Sequence, residues 1–281
     1  MPITKKPAKP RPLPDRITPR DAELLRLIAE HRVLTSTQIT SVLFAHPSNA
    51  RLRIALLRSA GLIETFRPAI PRDAPLHCVA TAKGLKLLAA AGDRRFSRTA
   101  RTDSALAAAL RPDLGHLLGV NDFFCRLHAH ARVHAGCRLE AWRSEWSTAA
   151  LFPGRVRPDG FARWRQGEAW CEFFLEYDTG TEPVGRLIDK LPGYADLMHA
   201  ADTCSPVLFW LRTPGRADHL RRLLDQTDVE VPVAYAAGCP ATSDIAGQIW
   251  QPTFAERRLT LAEIGAAACE HLGVAHRPHA L

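Results

Sequence analysis

Residues 170–181 read WCEFFLEYDTGT, an apolar run that ends in two acids. A run this apolar predicts a central β-strand that is buried on both of its faces. Because side chains alternate between the two faces of a strand, Glu176 and Asp178 point the same way and Tyr177 points the other way. The segment therefore predicts two carboxylates on one face of a sheet, at the end of a buried strand.

A second motif supplies a third acid. Residues 157–160 read RPDG and belong to the preceding strand of a predicted hairpin, which brings Asp159 towards Glu176 and Asp178. Carboxylates held together repel one another unless a cation lies between them, and oxygen-rich clusters suit Mg²⁺ or Mn²⁺. We therefore predict that these three acids hold a divalent metal. The alternative is that they are three solvated acids at strand ends.

The composition of the chain favours a polyanionic partner. The 281 residues carry a formal net charge of +8, which suits nucleic acid or an anionic surface. The sequence contains no run of 18 apolar residues and no apolar secretion-signal core near its N-terminus, so we expect a cytoplasmic protein without a membrane partner. The seven cysteines are scattered without a C-x-x-C pair, which predicts reduced core thiols and neither a disulfide framework nor a zinc site.

The first third of the chain has the pattern of a DNA-binding domain. Residues 1–17 are rich in Pro, Lys and Arg and predict a disordered basic arm. Residues 18–92 predict three short helices, a two-stranded hairpin and a fourth helix, which is the order of a winged helix-turn-helix. Thr18 and the capping box from Thr35 to Gln38 mark the first two helix starts.

The third predicted helix, residues 48–61, is the expected recognition helix. We expect it to turn Leu52, Leu56 and Leu57 to the core and to lie in the major groove, while the wing contacts the DNA backbone. Arginine pairs with guanine edges or phosphates, and asparagine pairs with adenine. The expected DNA contacts are therefore Asn49, Arg51, Arg53, Arg58 and, in the wing, Arg67. The alternative is a winged helix that serves only protein contacts.

The remainder of the chain predicts a second domain of the α+β or α/β class. After a linker at 93–113, residues 114–240 predict a helix, three strands, a helix bent at Pro192-Gly193, a strand, a helix and a strand. Such an order gives a mixed sheet, with the first strand near residues 138–146. Residues 241–281 form a partly helical C-terminal extension in which no chemistry is apparent.

This order of elements and its acidic motifs resemble the restriction-endonuclease-like, or PD-(D/E)XK, nucleases. The chain over about residues 18–240 also resembles the replication-relaxation family, which includes the MOBC-class plasmid relaxases. The matching features are the winged helix, the phrase HLLGVND at 116–122, the RPDG motif, residues 175–181, and the pair Lys190 and Tyr194. The resemblance implies a nuclease-like domain that nicks or binds double-stranded plasmid DNA at a transfer or replication origin with Mg²⁺ or Mn²⁺. Relaxosome or coupling proteins of conjugation are the further partners it implies.

One position departs from the nuclease motif. Asp178 stands where the motif has its lysine, the group that orients or deprotonates the attacking water. Lys190 or Arg186 on the following helix could supply that positive charge instead. We thus assign the catalytic role to Asp159, Glu176, Asp178 and Lys190, with Glu145 as a weaker candidate ligand. The alternative is a catalytically inactive DNA-binding or regulatory protein that keeps only the nuclease-like fold.

A histidine pair suggests a rival class. His128-Ala129-His130 has the spacing of the metal site in HUH relaxases, which attack DNA with a tyrosine. That site requires a strand, where alternate residues share a face. Residues 122–136 have helical apolar spacing, so we expect His130 and His134 to share a face and His128 to diverge. The HUH class is therefore disfavoured.

Overall fold

The computed structural model describes residues 17–68, 73–93, 95–98, 104–154 and 156–278. The predicted basic arm and parts of the predicted wing and linker lie outside the described residues. Contacts divide the chain into two compact units, Met1–Leu114 and Gly115–Leu281. No helix in the described part of the chain is both long and apolar enough to cross a bilayer.

The first unit combines short helices with a small antiparallel sheet. Its elements are α1 (Pro19–His31), β1 (Leu34–Thr35), α2 (Ser36–Leu43), α3 (Pro47–Ser59), β2 (Ile63–Phe66), β3 (His77–Ala80), α4 (Ala82–Ala90), α5 (Arg95–Arg98) and α6 (Ala105–Ala109). The strands lie in the order β1-β3-β2. The β2–β3 hairpin was predicted, whereas the two-residue strand β1 is too short to leave a sequence signal.

Local capping sets the starts of α1 and α2 as the sequence predicts. The Thr18 hydroxyl accepts the N–H of Asp21, and the Asp21 carboxylate accepts the N–H of Thr18 in return. Thr35 and Gln38 make the same reciprocal pair at the start of α2. Each box satisfies backbone N–H groups that the first helical turn would otherwise leave unpaired.

The predicted core face of α3 is wrong at Leu52. This side chain is 59 % exposed, and the buried residues of α3 are Ala50, Ile54 and Leu57. These three follow i, i+4, i+7 spacing and form one stripe, so Leu52 falls on the opposite side of the helix. Ala50 permits close packing on the inner side, and the larger Leu52 is left outside.

The second unit is a mixed six-stranded sheet with helices on both faces. Its elements are α7 (Leu114–Val133), β4 (Cys137–Ser144), α8 (Glu145–Leu151), β5 (Gly160–Gln166), β6 (Ala169–Asp178), α9 (Gly185–Ile188), α10 (Leu191–Ala201), β7 (Val207–Leu211), α11 (Pro214–Leu224), β8 (Val233–Ala237), β9 (Gln251–Pro252) and α12 (Leu261–His271). The strand order is β4-β5-β6-β7-β8-β9. β6, β7 and β8 are parallel to one another, and the remaining pairs are antiparallel. The mixed sheet expected from the sequence is confirmed.

Two apolar cores lie on opposite faces of this sheet. One core contains residues of α7 and α12, and the other contains residues of α9, α10 and α11. β6 contributes Phe173 and Leu175 to the first core and Phe174 to the second. The central strand is therefore buried on both faces, as its apolar composition predicts.

Two details of the second unit differ from the sequence predictions. Glu145 is the first residue of α8, because β4 ends at Ser144. The predicted bent helix is divided near Asp189 and not at Pro192-Gly193. Pro192 lies in the first turn of α10, where a missing N–H costs no intrahelical hydrogen bond.

The cysteine prediction is correct in part. Cys204 and Cys269 form a disulfide, so the expectation of reduced thiols is wrong for this pair. The two residues are 65 positions apart in the chain, and only the packing of α12 beside the segment before β7 brings their Cα atoms to 5.7 Å. The four free thiols of Cys78, Cys125, Cys137 and Cys171 are buried, and that of Cys239 is exposed.

Candidate active site at the end of the central strand

The end of β6 places its two acids on the face that α9, α10 and α11 cover. Glu176 contacts Lys190 and Tyr194 from this side, and Asp178 contacts Arg216 of α11. Tyr177 points to the opposite face, where its ring packs closely against Gly119 of α7. The alternation predicted for this segment is confirmed, and it separates the acids from Tyr177.

Glu176 is the most buried acid of the group. Its side chain is 1 % exposed, and both of its carboxylate oxygens have partners. The Tyr194 hydroxyl donates to Oε1 at 2.5 Å, and the Lys190 ammonium forms an ion pair with Oε2. Lys190 caps the start of α10 and Tyr194 lies one turn further on, so the same helix end directs both groups at one carboxylate.

Asp159 reaches the same region from the residue before β5. Its Oδ2 accepts the backbone N–H of Tyr177 at 2.8 Å, and its own N–H donates to the carbonyl of Leu175 at 3.0 Å. Its Oδ1 lies 3.0 Å from Nε2 of His116, a residue of the first turns of α7. Asp159 is thus fixed to the end of β6 by the backbone and faces a histidine.

Four ionisable groups influence one another here, namely Asp159, Glu176, His116 and Lys190. Burial raises the pKa of Glu176 to about 7, and the charge of Asp159 adds to this effect, while Lys190 and Tyr194 oppose it. Burial lowers the pKa of His116, but its hydrogen bond to Asp159 and the nearby carboxylate charges outweigh burial and raise it overall. The pKa of Lys190 is likewise raised, because the attraction of Glu176 and Asp159 exceeds the cost of burial. The group therefore acts as one coupled acid–base cluster.

Asp178 has a different environment although it lies two residues from Glu176. Arg216 binds it with two nitrogens, Nε to Oδ2 at 2.5 Å and Nη2 to Oδ1 at 2.8 Å. Oδ1 also accepts the N–H of Gly180, and Arg216 donates to the carbonyl of Glu182 at 2.7 Å. These contacts hold the turn at residues 179–182, and they make Asp178 a structural anchor for that turn.

Lys190 and Arg186, the two candidate replacements for the motif lysine, have different contacts. Lys190 contacts Glu176 directly. The Arg186 side chain is 71 % exposed and forms an ion pair with Asp189 at 3.9 Å. Lys190 is therefore the cation that lies in the cluster.

The donor set fits a divalent metal only in part. Within the described residues, no three or more His, Cys, Asp and Glu side chains form a group arranged to hold a metal ion. Arg216 binds both oxygens of Asp178, whereas the carboxylate charge that helps to raise the pKa of Glu176 is that of Asp159, so we assign Asp178 to the turn and not to the metal site. Mg²⁺ can be held by one or two carboxylates together with water and substrate phosphate. Asp159 and Glu176, which are close enough to perturb one another, fit that description.

Two functional candidates escaped prediction, and they differ in the signal they left. His116 belongs to the phrase HLLGVND but carried no assigned role, since its acid partner is far away in sequence. Arg216 is one arginine among several on α11 and lies 38 positions from Asp178, so no local pattern marks it. Tyr194 was recognisable, because its i, i+4 spacing from Lys190 places both on one helix face.

The histidines of the HUH-like motif lie in α7 and not in a strand. The rings of His130 and His134 stack with centroids 3.8 Å apart, which confirms that these two share a face. Burial lowers the pKa of His128 to about 4, and its ring lies near Trp142. The spacing needed for an HUH metal site is therefore absent at this motif.

The arginines of α3 divide into two sets. Arg51 and Arg58 are exposed, as are Asn49 of the same helix and Arg67 after β2. Arg53 instead turns inward, where its Nε lies 2.7 Å from Oδ1 of the buried Asp21. A DNA contact by Arg53 would have to compete with this ion pair.

Comparison with known proteins gives one match. The model of a family described as replication-relaxation matches residues 25–208. The matched segment runs from α1 into β7, and it includes α3 and every residue of the acidic cluster. Neither the curated proteins nor the solved structures include a significant match to this chain.

Proposed function

Because the chain belongs to the replication-relaxation family, we propose that it processes DNA at an origin of plasmid transfer or replication. The first unit binds double-stranded DNA as a winged helix-turn-helix, and the second nicks one strand with a restriction-endonuclease-like site. The observation that carries the nicking proposal is the position of Lys190 beside Asp159 and Glu176. It supplies from α10 the positive charge that position 178 lacks.

Each residue of the cluster has a chemical task in this proposal. A Mg²⁺ or Mn²⁺ ion held by Asp159 and Glu176 would supply Lewis-acid stabilisation of the phosphate and a lowered pKa for water. Lys190 offsets the charge that develops on the scissile phosphate. Tyr194 fixes the orientation of Glu176 through its hydrogen bond, and His116 fixes Asp159.

DNA binding by the first unit is supported by the charge distribution on α3. Arg51 and Arg58 are exposed on this helix, and its sequence contains no acid to neutralise them. The β2–β3 hairpin follows α3 as the wing of a winged helix would, with Arg67 directly after β2. In that arrangement α3 enters the major groove and the wing contacts phosphates. Relaxosome or coupling proteins are the further partners that this function needs.

A second candidate function is a DNA-binding protein without nuclease activity. The observation that favours it is the double hydrogen bond between Arg216 and Asp178, which removes one acid of the nuclease motif from chemistry. Such a protein would bind origin DNA through α3 and use the second unit for assembly or regulation. Its DNA binding would not depend on divalent metal.

The nicking of supercoiled plasmid tests the proposal directly. The plasmid carries the DNA that flanks the gene, and the full chain is incubated with Mg²⁺, Mn²⁺ or EDTA. We expect open-circular product only with the metal, and none from Glu176→Gln, which should still bind the plasmid. Binding by the wild type without nicking under any of these conditions would establish the second candidate instead.

A further inference from the structure

The outward side of α3 has an unusual composition for a solvated helix face. We define the outer face of α3 by its exposed residues, which are Pro47, Ser48, Asn49, Arg51, Leu52, Ala55, Arg58 and Ser59. Its only ionisable side chains are the two arginines, and small residues surround the single large apolar side chain, Leu52. Solvated helix faces are usually built from Lys and Glu. Small residues instead permit the close approach of another molecule.

A lone exposed leucine is ordinary and proves nothing by itself. Leu52, however, also lines a concave surface of about 590 Å³ together with Asn49, Phe44 and Arg20. The Arg20 guanidinium lies 5.8 Å from the centre of the Phe44 ring, so this surface is both basic and apolar. Such a combination fits a polyanion with apolar groups better than it fits an acidic or a purely apolar partner.

The major groove of DNA presents one apolar group, the C5-methyl of thymine. Apolar side chains on a recognition helix contact this methyl, and residues near the N-terminal end of the helix are those that reach base edges. Leu52 is the sixth residue of α3, and Asn49 precedes it by three positions on the same side. Resting on the proposed DNA-binding function, we propose that Leu52 determines sequence specificity by contacting a thymine methyl in the major groove.

The test is a cycle that removes the methyl group and the leucine separately. A duplex is first selected by the full-length wild type from a random-sequence pool. Each thymine in it is then replaced by deoxyuridine, which keeps base pairing and removes only the methyl. We expect a loss of about fourfold in wild-type affinity at the contacted position, the value of one buried methyl group. Leu52→Ala should bind the thymine duplex more weakly and should not distinguish thymine from uracil at that position.

Matched controls separate this inference from the function on which it rests. Arg58→Ala should bind more weakly overall but retain the full preference for thymine. Because Leu52 is exposed, Leu52→Ala should melt at the wild-type temperature. If every thymine can be replaced without loss, or if Leu52→Ala keeps the wild-type preference, the inference is overturned and Leu52 contacts another partner such as a protein. If the wild type selects no duplex, and the arginine variants of α3 bind DNA as tightly as the wild type does, then the proposed DNA-binding role of α3 is also wrong.

Discussion

The outer face of α3 and the end of β6 both contain charged side chains, but these are exposed on α3 and paired within the protein at the end of β6. On α3, Arg51 and Arg58 are exposed, and the helix carries no acid. At the end of β6 every acid has a partner within the protein: Asp159 with His116, Glu176 with Lys190, and Asp178 with Arg216. Exposed positive charge is available to bind the phosphates of a long polyanion. Buried ion pairs instead orient their groups before a substrate arrives, as the proposed nicking site requires.

Among the variants of these two regions, Lys190→Ala should have the largest effect, and that effect should be on the rate of nicking. If Lys190 serves the chemistry, Lys190→Ala should slow nicking by about 10²–10⁴, the usual range for one electrostatic or acid–base group. DNA affinity should change little, since one phosphate contact among many is a small part of binding. Rates on supercoiled plasmid measure the effect. The control is Arg186→Ala, whose side chain is exposed and should leave the rate unchanged.

The removal of Arg216 should mainly affect stability. Arg216→Ala leaves the buried Asp178 without its cation, and breaking a buried ion pair in this way costs about 3–5 kcal/mol. Urea unfolding of the second unit, monitored by tryptophan fluorescence, measures the change in free energy. Arg222→Ala, an exposed change on the same helix, should have almost no effect. A loss below 1 kcal/mol for Arg216→Ala would show that Asp178 has other support.

Changes of pH should distinguish the two regions, because arginine is the only ionisable residue type within α3. Burial raises the pKa of Glu176 from its ordinary 4.5 to about 7, so the folded state holds this proton more tightly than the unfolded state. The stabilisation is complete below pH 4.5 and is lost as pH rises through 7, with a magnitude of about 3 kcal/mol. Unfolding free energies of the wild type and Glu176→Gln, measured with EDTA from pH 4 to about 8, should diverge accordingly. A constant difference between the two proteins would contradict the shifted pKa.

Arg51 and Arg53 of α3 should give the smallest effects, one on DNA affinity and the other on stability. Arg51→Ala should weaken specific DNA binding by about 1–3 kcal/mol for a lost base contact and leave stability unchanged. Arg53→Ala should instead destabilise the first unit, because it removes the cation that pairs with the buried Asp21 carboxylate. Fluorescence anisotropy with a selected duplex and thermal melts measure both quantities. Equal losses of affinity without a loss of stability would place both arginines on the DNA.

Local patterns predicted the parts of the molecule that depend on neighbouring residues. The N-cap at Thr18, the capping box at Thr35 and the alternation of Glu176 and Asp178 follow from local sequence patterns, and the structure contains them. The mixed sheet followed from the order of elements. These features need no knowledge of what packs against them.

The features that the sequence does not predict depend on contacts between segments that are distant in the chain. The spacing of Arg216 and Asp178 and that of Cys204 and Cys269 carry no signal in the sequence. In α3, the spacing of the apolar residues allows more than one core-facing stripe, and the structure buries Ala50, Ile54 and Leu57 while Leu52 is exposed. The sequence groups Asp159, Glu176 and Asp178 as ligands of one metal for the same reason, because the contact of Asp178 with Arg216 carries no signal in the sequence.

We propose that Asp159 and Glu176 act in nicking without Asp178, and the nicking rates of three variants measure this division. Asp159→Asn, Glu176→Gln and Asp178→Asn are assayed on supercoiled plasmid with Mn²⁺, at a temperature where circular dichroism shows each variant to be folded. We expect the first two variants to bind the plasmid but not to nick it. Asp178→Asn should be less stable and should nick at close to the wild-type rate. A folded Asp178→Asn protein that is as inactive as Glu176→Gln would instead place Asp178 in the catalytic cluster.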